Sequence, residues 1–549
     1  MAPTDAELRA AMRAHGARVE RYRAGGLTDD QFRPIRLSYG LYYQLDHTSH
    51  MQRIKLPGGL MTAAQADCLA DLTDEMGRGI AHITTRQDIQ LHWIELGKIM
   101  EIYERLHAVG ITTRGACADS VRNITGCIHA GTWPTEPFDV TPYLLATHDY
   151  FLFHPLNLTQ PRKFKIAFSG CDTDCAQGPI NDLAFFAHVR DGQAGFAVCA
   201  GGGLAAQPYL AQRIWDFIPA DNVLLAAETV VRFQHRYGER KNRHKARLKY
   251  VFKKWGVPKV LAEMQLEYDR VEAQMGDRLR QELRESVAAS HQPEPTNAPA
   301  QLTASNDQVF GHWTRTNTYA QRQNGYFGCT AQLPLGDLSG AQLRALAALS
   351  RAHGNGVLRA TNDQNILIPW VAGDHVRALY DELRTLGLGA ADALHITDVT
   401  SCPGADYCSL AMSRSMGVAA TIQEHLRATN GDVEQLGAFR IKISGCPNSC
   451  GQHHIGDIGL TGMTLKGDDG SEHPHYSILV GGSVGESTAA IGHRVTGRFP
   501  VAETPKVVAA LAGLYQRERT RGERFPDFVQ RVGMTRINEV ARGAAAIVH

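Results

Sequence analysis

The chain repeats itself, and this restricts its fold to one that two similar halves can build together. Leu56-Pro57 matches Leu333-Pro334, Gln65 matches Gln342, Gln87 matches Gln364 and Trp93 matches Trp370, all at an offset of 277. Further along the offset is 275: Val121-Arg-Asn-Ile-Thr-Gly-Cys127 runs against Ile396-Thr-Asp-Val-Thr-Ser-Cys402, and Phe164-Lys-Ile-Ala-Phe-Ser-Gly-Cys171 against Phe439-Arg-Ile-Lys-Ile-Ser-Gly-Cys446. A last block aligns Val198-Cys-Ala-Gly-Gly202 with Ile478-Leu-Val-Gly-Gly482. Collinear blocks at nearly constant spacing are the mark of an internal duplication.

Within each half, a stretch alternating strands with a helix (Leu56 to about Ala116; Thr330 to Asp392) precedes a longer stretch with strand loops and longer helices. The expected fold class is therefore α+β and internally duplicated: two ferredoxin-like units plus two larger mixed α/β domains about a pseudo-twofold axis, with any cofactor at the junction. The boundaries read as 1–45 for an N-terminal helical arm and extended segment, 46–116 and 307–392 for the small units, 117–287 and 393–549 for the larger domains, and 288–306 for a Pro-, Ser-, Gln- and Asn-rich linker.

Four cysteines dominate the second half. Cys402 and Cys408 form a Cys-x5-Cys pair, and Cys446 and Cys450 a Cys-x3-Cys pair, so two loops can bring four thiols to one centre. Residues 439–443 alternate as a half-buried strand that Ser444-Gly445 ends, which places Cys446 and Cys450 on the loop beyond it. Asp406 to Arg427 reads as a helix followed by Gly431, with Cys408 in its first turn, where free N–H groups favour a negatively charged cluster. By spacing alone three readings stay open: an iron–sulfur cluster, a structural zinc site, for which five intervening residues is long, or unligated buried thiols.

The first half has thiols of its own: Cys117, Cys127, Cys171 and Cys175, three of which align with Cys402, Cys446 and Cys450, while Trp133 stands opposite Cys408. They are either remnants of a duplicated site or the ligands of a second cluster. Cys68, Cys199 and Cys329 read as small buried hydrophobes.

Composition excludes several classes. A net charge of +1 with 21% charged residues is unlike a general nucleic-acid binder, and eleven cysteines in 549 residues is not the density of a disulfide-stapled secreted module. The polar start, Met1 to Leu8, lacks the apolar core of a signal peptide, and no apolar run approaches the roughly 18 residues of a membrane span. The expectation is a cytoplasmic protein in a reducing compartment, without nucleic-acid or membrane partners.

These motifs together resemble the sirohaem-dependent nitrite and sulfite reductases, of the sulfite reductase haemoprotein beta-component type. The likeness rests on the two cysteine pairs and on Arg53-Ile-Lys-Leu-Pro-Gly-Gly59, Thr84-Thr-Arg-Gln-Asp-Ile-Gln-Leu-His92, Val121 to Thr125, Pro161-Arg-Lys-Phe-Lys165 and Cys446-Pro-Asn-Ser-Cys450, and covers roughly residues 35 to 485. It implies two cofactors, sirohaem and a [4Fe-4S] cluster, with Cys402, Cys408, Cys446 and Cys450 as cluster ligands and Cys450 also bridging to the sirohaem iron. It further implies an oxyanion cage of Arg86, Arg122, Lys163 and Lys165. Only Lys165 of these has a basic counterpart in the other half, Arg440; Arg86 faces Asp363, Arg122 faces Thr397 and Lys163 faces Ala438. The basic segment around Arg243, Lys245, Arg247 and Lys249 reads either as a solvated helix face, as counter-charge for the carboxylates of sirohaem, or as a patch for an acidic electron donor.

The implied reaction is the assimilatory six-electron reduction of sulfite to sulfide, with six-electron reduction of nitrite to ammonia as the near alternative and a non-catalytic zinc or iron–sulfur electron carrier as the distant one. Plant-type nitrite reductases of this family tend to have asparagine where Lys165 stands, which favours sulfite. The Gly201-Gly-Gly203 and Gly481-Gly482 turns lack dinucleotide-binding spacing, so electrons are expected from a partner, ferredoxin or a flavoprotein reductase.

Overall fold

The computed structural model describes residues 3–429, 433–466 and 470–545. Each small unit carries a sheet that the other half completes. In the first, the order is Leu41–Tyr43, His50–Ile54, Ile89–Ile94, Ile80–Ile83 and then Asp337–Ser339 from the second half; in the other, Thr318–Ala320, Tyr326–Ala331, Ile366–Ala372, Val357–Ala360 and then Leu60–Thr62 from the first. All neighbours in these two sheets are antiparallel. The exchange explains why one hydrophobic core runs through both units, with Leu69, Leu72 and Ile102 of the first half beside Leu343, Leu346 and Leu379 of the second. The stretches 46–116 and 307–392 are thus one body.

The matched residues of the repeat sit where backbone groups must be satisfied. Helices Ala63–Met76 and Gly340–His353, which pack on each other, both begin with a capping box. Gln65 Oε1 accepts the Thr62 N–H at 2.9 Å and Gln342 Oε1 the Ser339 N–H at 2.9 Å, which satisfies donors that helix starts leave free. Each glutamine also donates to a carbonyl at the end of its own unit, Val109 and Leu386, both at 3.0 Å.

The larger domains hold mixed sheets, ordered Gln212–Pro219, Gln193–Ala200, Leu183–Arg190, Ile166–Ser169, Thr125–Gly126 in the first half and Thr400–Ser401, Ile441–Ser444, Ile458–Lys466, Glu472–Val480, His493–Arg494 in the second, with Phe499–Pro500 also pairing to Glu472–Val480. Thr125–Gly126, Ile166–Ser169 and Leu183–Arg190 run parallel to one another, as do Thr400–Ser401, Ile441–Ser444 and Ile458–Lys466, and the other neighbours are antiparallel. Every cysteine loop leaves the carboxyl end of a parallel strand: Cys127 follows Thr125–Gly126, Cys171 follows Ile166–Ser169, Cys402 follows Thr400–Ser401 and Cys446 follows Ile441–Ser444. Such ends are where mixed and parallel sheets open their crevices.

Two local expectations are corrected. The helix expected from Asp406 begins at Ser415 and runs to Thr429, and Gly431 lies outside the described residues. Residues between use their backbone groups elsewhere: Met412 and Ser413 N–H both donate to the Gly445 carbonyl, at 2.9 and 3.1 Å, and Ala405 N–H to Ser413 O at 3.0 Å. Cys408 therefore sits in a turn bonded to Gly404 O at 2.9 Å, not at a helix start, and the helix-end argument for its charge does not apply. Strand Ile441–Ser444 is buried on both faces, since its alternating polar residue, Lys442, is paired with Asp363 at 2.7 Å inside the protein.

The arm at 1–45 forms helices Asp5–Arg23 and Asp29–Ser38 before joining the first sheet. The segment expected as a linker, 288–306, follows the 33-residue helix Val257–Ala289 and is strapped along the second small sheet, with Gly373 N–H on Ala300 O at 3.0 Å and Thr296 N–H on Gly354 O at 3.2 Å. Among the described residues no helix is long and apolar enough to cross a membrane.

Candidate active site at the junction of the halves

The four C-terminal cysteines lie on two loops that are bonded to each other. Cys402 N–H donates to Ile443 O at 3.1 Å, and Cys402 Sγ accepts the Gly445 N–H at 3.2 Å and lies 3.4 Å from Ser415 Oγ. Gly451, directly after Cys450, tolerates no side chain: a Cβ there would stand 1.8 Å from Ile443 O. Cys402, Cys408 and Cys446 each feel the charge of Cys450, and among the described residues no three of these thiols gather within the 4.8 Å of a single-ion site. Burial pushes the Cys402 thiol up to about 12, with Cys450 adding to it, and raises Cys408 and Cys446 too. Bare, Cys402, Cys408 and Cys446 hold their protons; an iron centre among them would take the thiolates. A four-iron cube, with its own bulk, spaces its thiolates more widely than a single ion does.

Across from Cys450 stand the first-half cations. Thr85 Oγ1 donates to the Cys450 carbonyl at 2.7 Å, which ties the Thr84–His92 segment to the cysteine loop. Arg86 is fixed by Asn181 Oδ1 at 2.8 Å and the Asn123 carbonyl at 2.6 Å. Burial draws its guanidinium down to about 10 against the opposing pull of Asp88, with Arg122 adding to the fall. Arg122 clasps the loop before it, donating to Ala118 O at 2.8 and 3.1 Å and to Ala116 O at 3.3 Å.

Lys163 and Lys165 flank Phe164, which bridges in parallel to Val121, so both sit in an extended lead-in to strand Ile166–Ser169 and project alike. Neither ammonium has a hydrogen-bonding partner among the described residues. Burial, then Arg122 and Arg247, push Lys163 down to about 7; burial, Arg86 and Lys163 lower Lys165 further. The Cys450 thiol pulls in the opposite sense on Lys163 and on Arg53, and Thr85 ties the cysteine loop to the segment that carries Arg86. Part-buried ammonium groups without partners fit an anionic occupant.

Two more cations belong here that sequence reasoning left out of the site. Arg53, on strand His50–Ile54, lies 3.8 Å from Asp88 and donates to Cys117 Sγ at 3.4 Å; Lys55, two residues on, is pushed down to about 8 by burial and lies 3.2 Å from His148 Nε2. The same signal as in 163–165, two basic residues two apart at a strand end, was present in Arg53-Ile-Lys55.

The basic segment divides. Arg247 makes a buried pair with Asp182 at 2.6 Å and borders the cage, while Arg243 pairs with Asp119 and Lys245 is exposed. Lys249 is a correction: its ammonium donates to the carbonyls of Gly203, Leu204 and Gln207 at 3.3, 2.7 and 2.5 Å, so all three donors support the loop at 203–207 and none is free for a cofactor. Cys117 is another: it lies beside Arg53 on the cation side, apart from Cys127, Cys171 and Cys175, and cannot complete their set.

The family model described as the nitrite and sulphite reductase 4Fe-4S domain matches residues 117–271 and 393–546, and the nitrite/sulfite reductase ferredoxin-like half domain matches 43–109 and 319–386. The chain belongs to the nitrite and sulfite reductase family. It is an oxidoreductase of that family, with sirohaem and a [4Fe-4S] cluster as its cofactors. It is 31% identical over 496 residues to the assimilatory ferredoxin-dependent nitrite reductase of Haloferax mediterranei, covering 88% of this chain and 81% of that one. It is 29% identical to sulfite reductase [ferredoxin] 2 of Mycolicibacterium paratuberculosis, over 89% of this chain and 83% of that one. The solved structure of the Mycobacterium tuberculosis NirA protein superposes with a TM-score of 0.79 at 26% identity, covering 95% of this chain and 94% of that chain. The duplicated α+β fold expected from the repeat agrees with both family models and with this structural match.

Proposed function

We propose that this family member reduces sulfite to sulfide with electrons from reduced ferredoxin, the donor named for its relatives. The observation that carries the reading is the pair of unpartnered ammonium groups, Lys163 and Lys165, beside Arg86 and Arg122. Sulfite near neutral pH carries up to two negative charges and nitrite one, so a cage with a second lysine favours the more highly charged anion. Cys402, Cys408, Cys446 and Cys450 would hold the cluster, with Cys450, whose charge acts on both Lys163 and Arg53, as the bridge to sirohaem; Arg243, Lys245 and Arg247 would meet the sirohaem carboxylates. When bound, the coupled cofactors supply electrons and an open iron position for the anion.

What the protein's own residues add is charge and protons. Three oxygens leave sulfite as water, and this takes at least six protons. Lys163, whose affinity for its proton has been drawn to about 7, can both give and regain one near neutral pH. Arg86 and Arg122, held by carbonyl and amide partners, keep their charge and fix the orientation of the oxyanion.

A second reading, nitrite reduction to ammonia, is favoured by the Haloferax relative. Steady-state kcat/KM for both anions, with sulfide and ammonium measured as products, separates the two. At least a tenfold preference for sulfite is expected, and a preference for nitrite overturns the assignment.

A further inference from the structure

In the first half, where the repeat places the counterpart of the cluster, three thiols and an imidazole close on one point. The ligand atoms of Cys127, His129, Cys171 and Cys175 all lie within 4.8 Å of one another, with Cys175 Sγ 3.2 Å from Cys127 Sγ and 3.3 Å from Cys171 Sγ. Ligands about 2.3 Å from a tetrahedral centre stand roughly 3.8 Å apart, so this spacing is that of a single ion contracted slightly in its absence. It is too tight for a four-iron cube, and the sulfurs are unbonded thiols.

We propose that Cys127, His129, Cys171 and Cys175 bind a structural zinc ion. Three thiolates and one imidazole form a closed four-coordinate set with no position left for substrate. Binding forms three zinc–sulfur bonds and one zinc–nitrogen bond and releases the thiol protons to water, with nothing oxidised or reduced.

The surroundings independently ask for such a centre. Zinc with three thiolates carries one net negative charge. Beside it Arg359, 2% exposed, donates Nη1 to the carbonyls of Cys127 and Ile128 at 3.3 and 3.2 Å, while its Nε has no partner and no carboxylate pairs with it among the described residues. A buried guanidinium without a counter-anion is costly, and a zinc–thiolate centre supplies that anion. The imidazole of His129 is held in a cluster of three rings, stacked on Trp133 at 4.6 Å and edge-on to Tyr319 at 4.7 Å, with Trp133 and Tyr319 themselves 5.3 Å apart. Trp133 occupies the slot that Cys408 fills in the other half, so the ring that replaces the fourth thiol orients the fourth ligand.

The ion would staple the halves together. Asn362 donates to the Cys175 carbonyl at 2.9 Å and the Thr132 and Tyr319 hydroxyls meet at 2.8 Å, so second-half residues grip both loops that carry the ligands. The inference does not depend on which anion the enzyme reduces.

Metal analysis and zinc K-edge absorption spectroscopy of the holoenzyme, exhaustively dialysed against EDTA, test it. The expected result is one zinc per chain with three sulfur ligands near 2.3 Å and one nitrogen near 2.0 Å. Cys171→Ser and His129→Ala should lose the zinc while cluster iron and the visible spectrum persist, and His129→Cys should keep it with four sulfurs. Eight cluster irons per chain, a disulfide among these cysteines on mass analysis after alkylation, or zinc-free holoenzyme would each overturn the proposal. The absorption measurement on the unaltered protein decides the matter even where a variant fails to fold.

Discussion

Gln87 and Gln364 lie across the pseudo-twofold axis and each closes the half to which the other belongs. Gln87 Nε2 donates to the carbonyls of Ala360 and Gly126, both at 3.1 Å, and its Oε1 accepts the Gly126 N–H at 2.8 Å. Gln364 Nε2 donates to Ile83 O at 3.0 Å and its Oε1 accepts the Ser401 N–H at 2.8 Å. Ala360 and Ile83 are themselves partners in the repeat, as are Gly126 and Ser401. Both glutamines have positive φ, 59° and 68°, a backbone cost that persists in both halves because the amide needs that aim.

Truncating either glutamine strands the same kind of groups, a buried N–H just ahead of a loop cysteine and a strand carbonyl of the opposite half. Gln87→Ala and Gln364→Ala should each destabilise the protein by about 1–3 kcal/mol. Urea denaturation checks this. A large effect for one and none for the other would show that the symmetry is formal rather than energetic.

The Lys442–Asp363 pair is the second-half answer to the cation cage, since Asp363 occupies the slot of Arg86. Burial alone would raise the Asp363 carboxyl, but Lys442 and Arg440 outweigh it and hold it below the usual range. Lys442→Met leaves a buried carboxylate beside the cysteine loop and should cost about 3–5 kcal/mol, and the double variant Lys442→Met/Asp363→Leu should recover most of it. Thermal melts of the two decide; equal losses would mean that the ion pair is not what the site depends on.

The duplication was legible because glutamine caps, the Gln87–Gln364 amides and the cysteine loops demand particular residues at particular places. The exchange of strands Leu60–Thr62 and Asp337–Ser339 was not, because an edge strand's alternation states which face is buried and not whose sheet it joins. Lys442 misled for a related reason: a lysine in an alternating run reads as solvent-facing unless its distant partner, Asp363, is known. The Cys408 turn was read as a helix because the carbonyl that captures residues 412 and 413 belongs to Gly445, more than thirty residues on. His129 was two residues from Cys127 throughout, but aligning thiol with thiol drew attention to Cys117, which the fold sends to Arg53.

That division among the thiols has a direct consequence for iron content. Cys446→Ser removes a ligand of the proposed cluster and should lose cluster iron and acid-labile sulfide together, whereas Cys117→Ser should retain all four cluster irons per chain. Equal iron loss in the two variants would place Cys117 in a cluster after all, against its position on the cation side of the cavity.

Lys163 gives the site a pH signature whose sign can be worked out. Its folded value, near 7, lies below the ordinary lysine value of about 10.4, so between the two the unfolded chain binds a proton that the folded chain does not. Stability of the cofactor-free chain therefore gains from Lys163 as pH rises above 7. The raised thiols, Cys402, Cys329, Cys127 and Cys175 among them, act in the opposite direction once unfolded cysteine ionises above about 8.5, so the clean window is pH 7 to 8. Across it the stability difference between the cofactor-free parent and Lys163→Met should shift in the parent's favour, and the shift should shrink in the holoprotein with sulfite bound, where the oxyanion restores the lysine's charge. Melting temperatures at pH 7.0, 7.5 and 8.0 for both proteins, with and without cofactor and sulfite, measure it; a difference that is flat or of the reverse sign would mean that Lys163 keeps its proton in the empty cage and has no need of an anion.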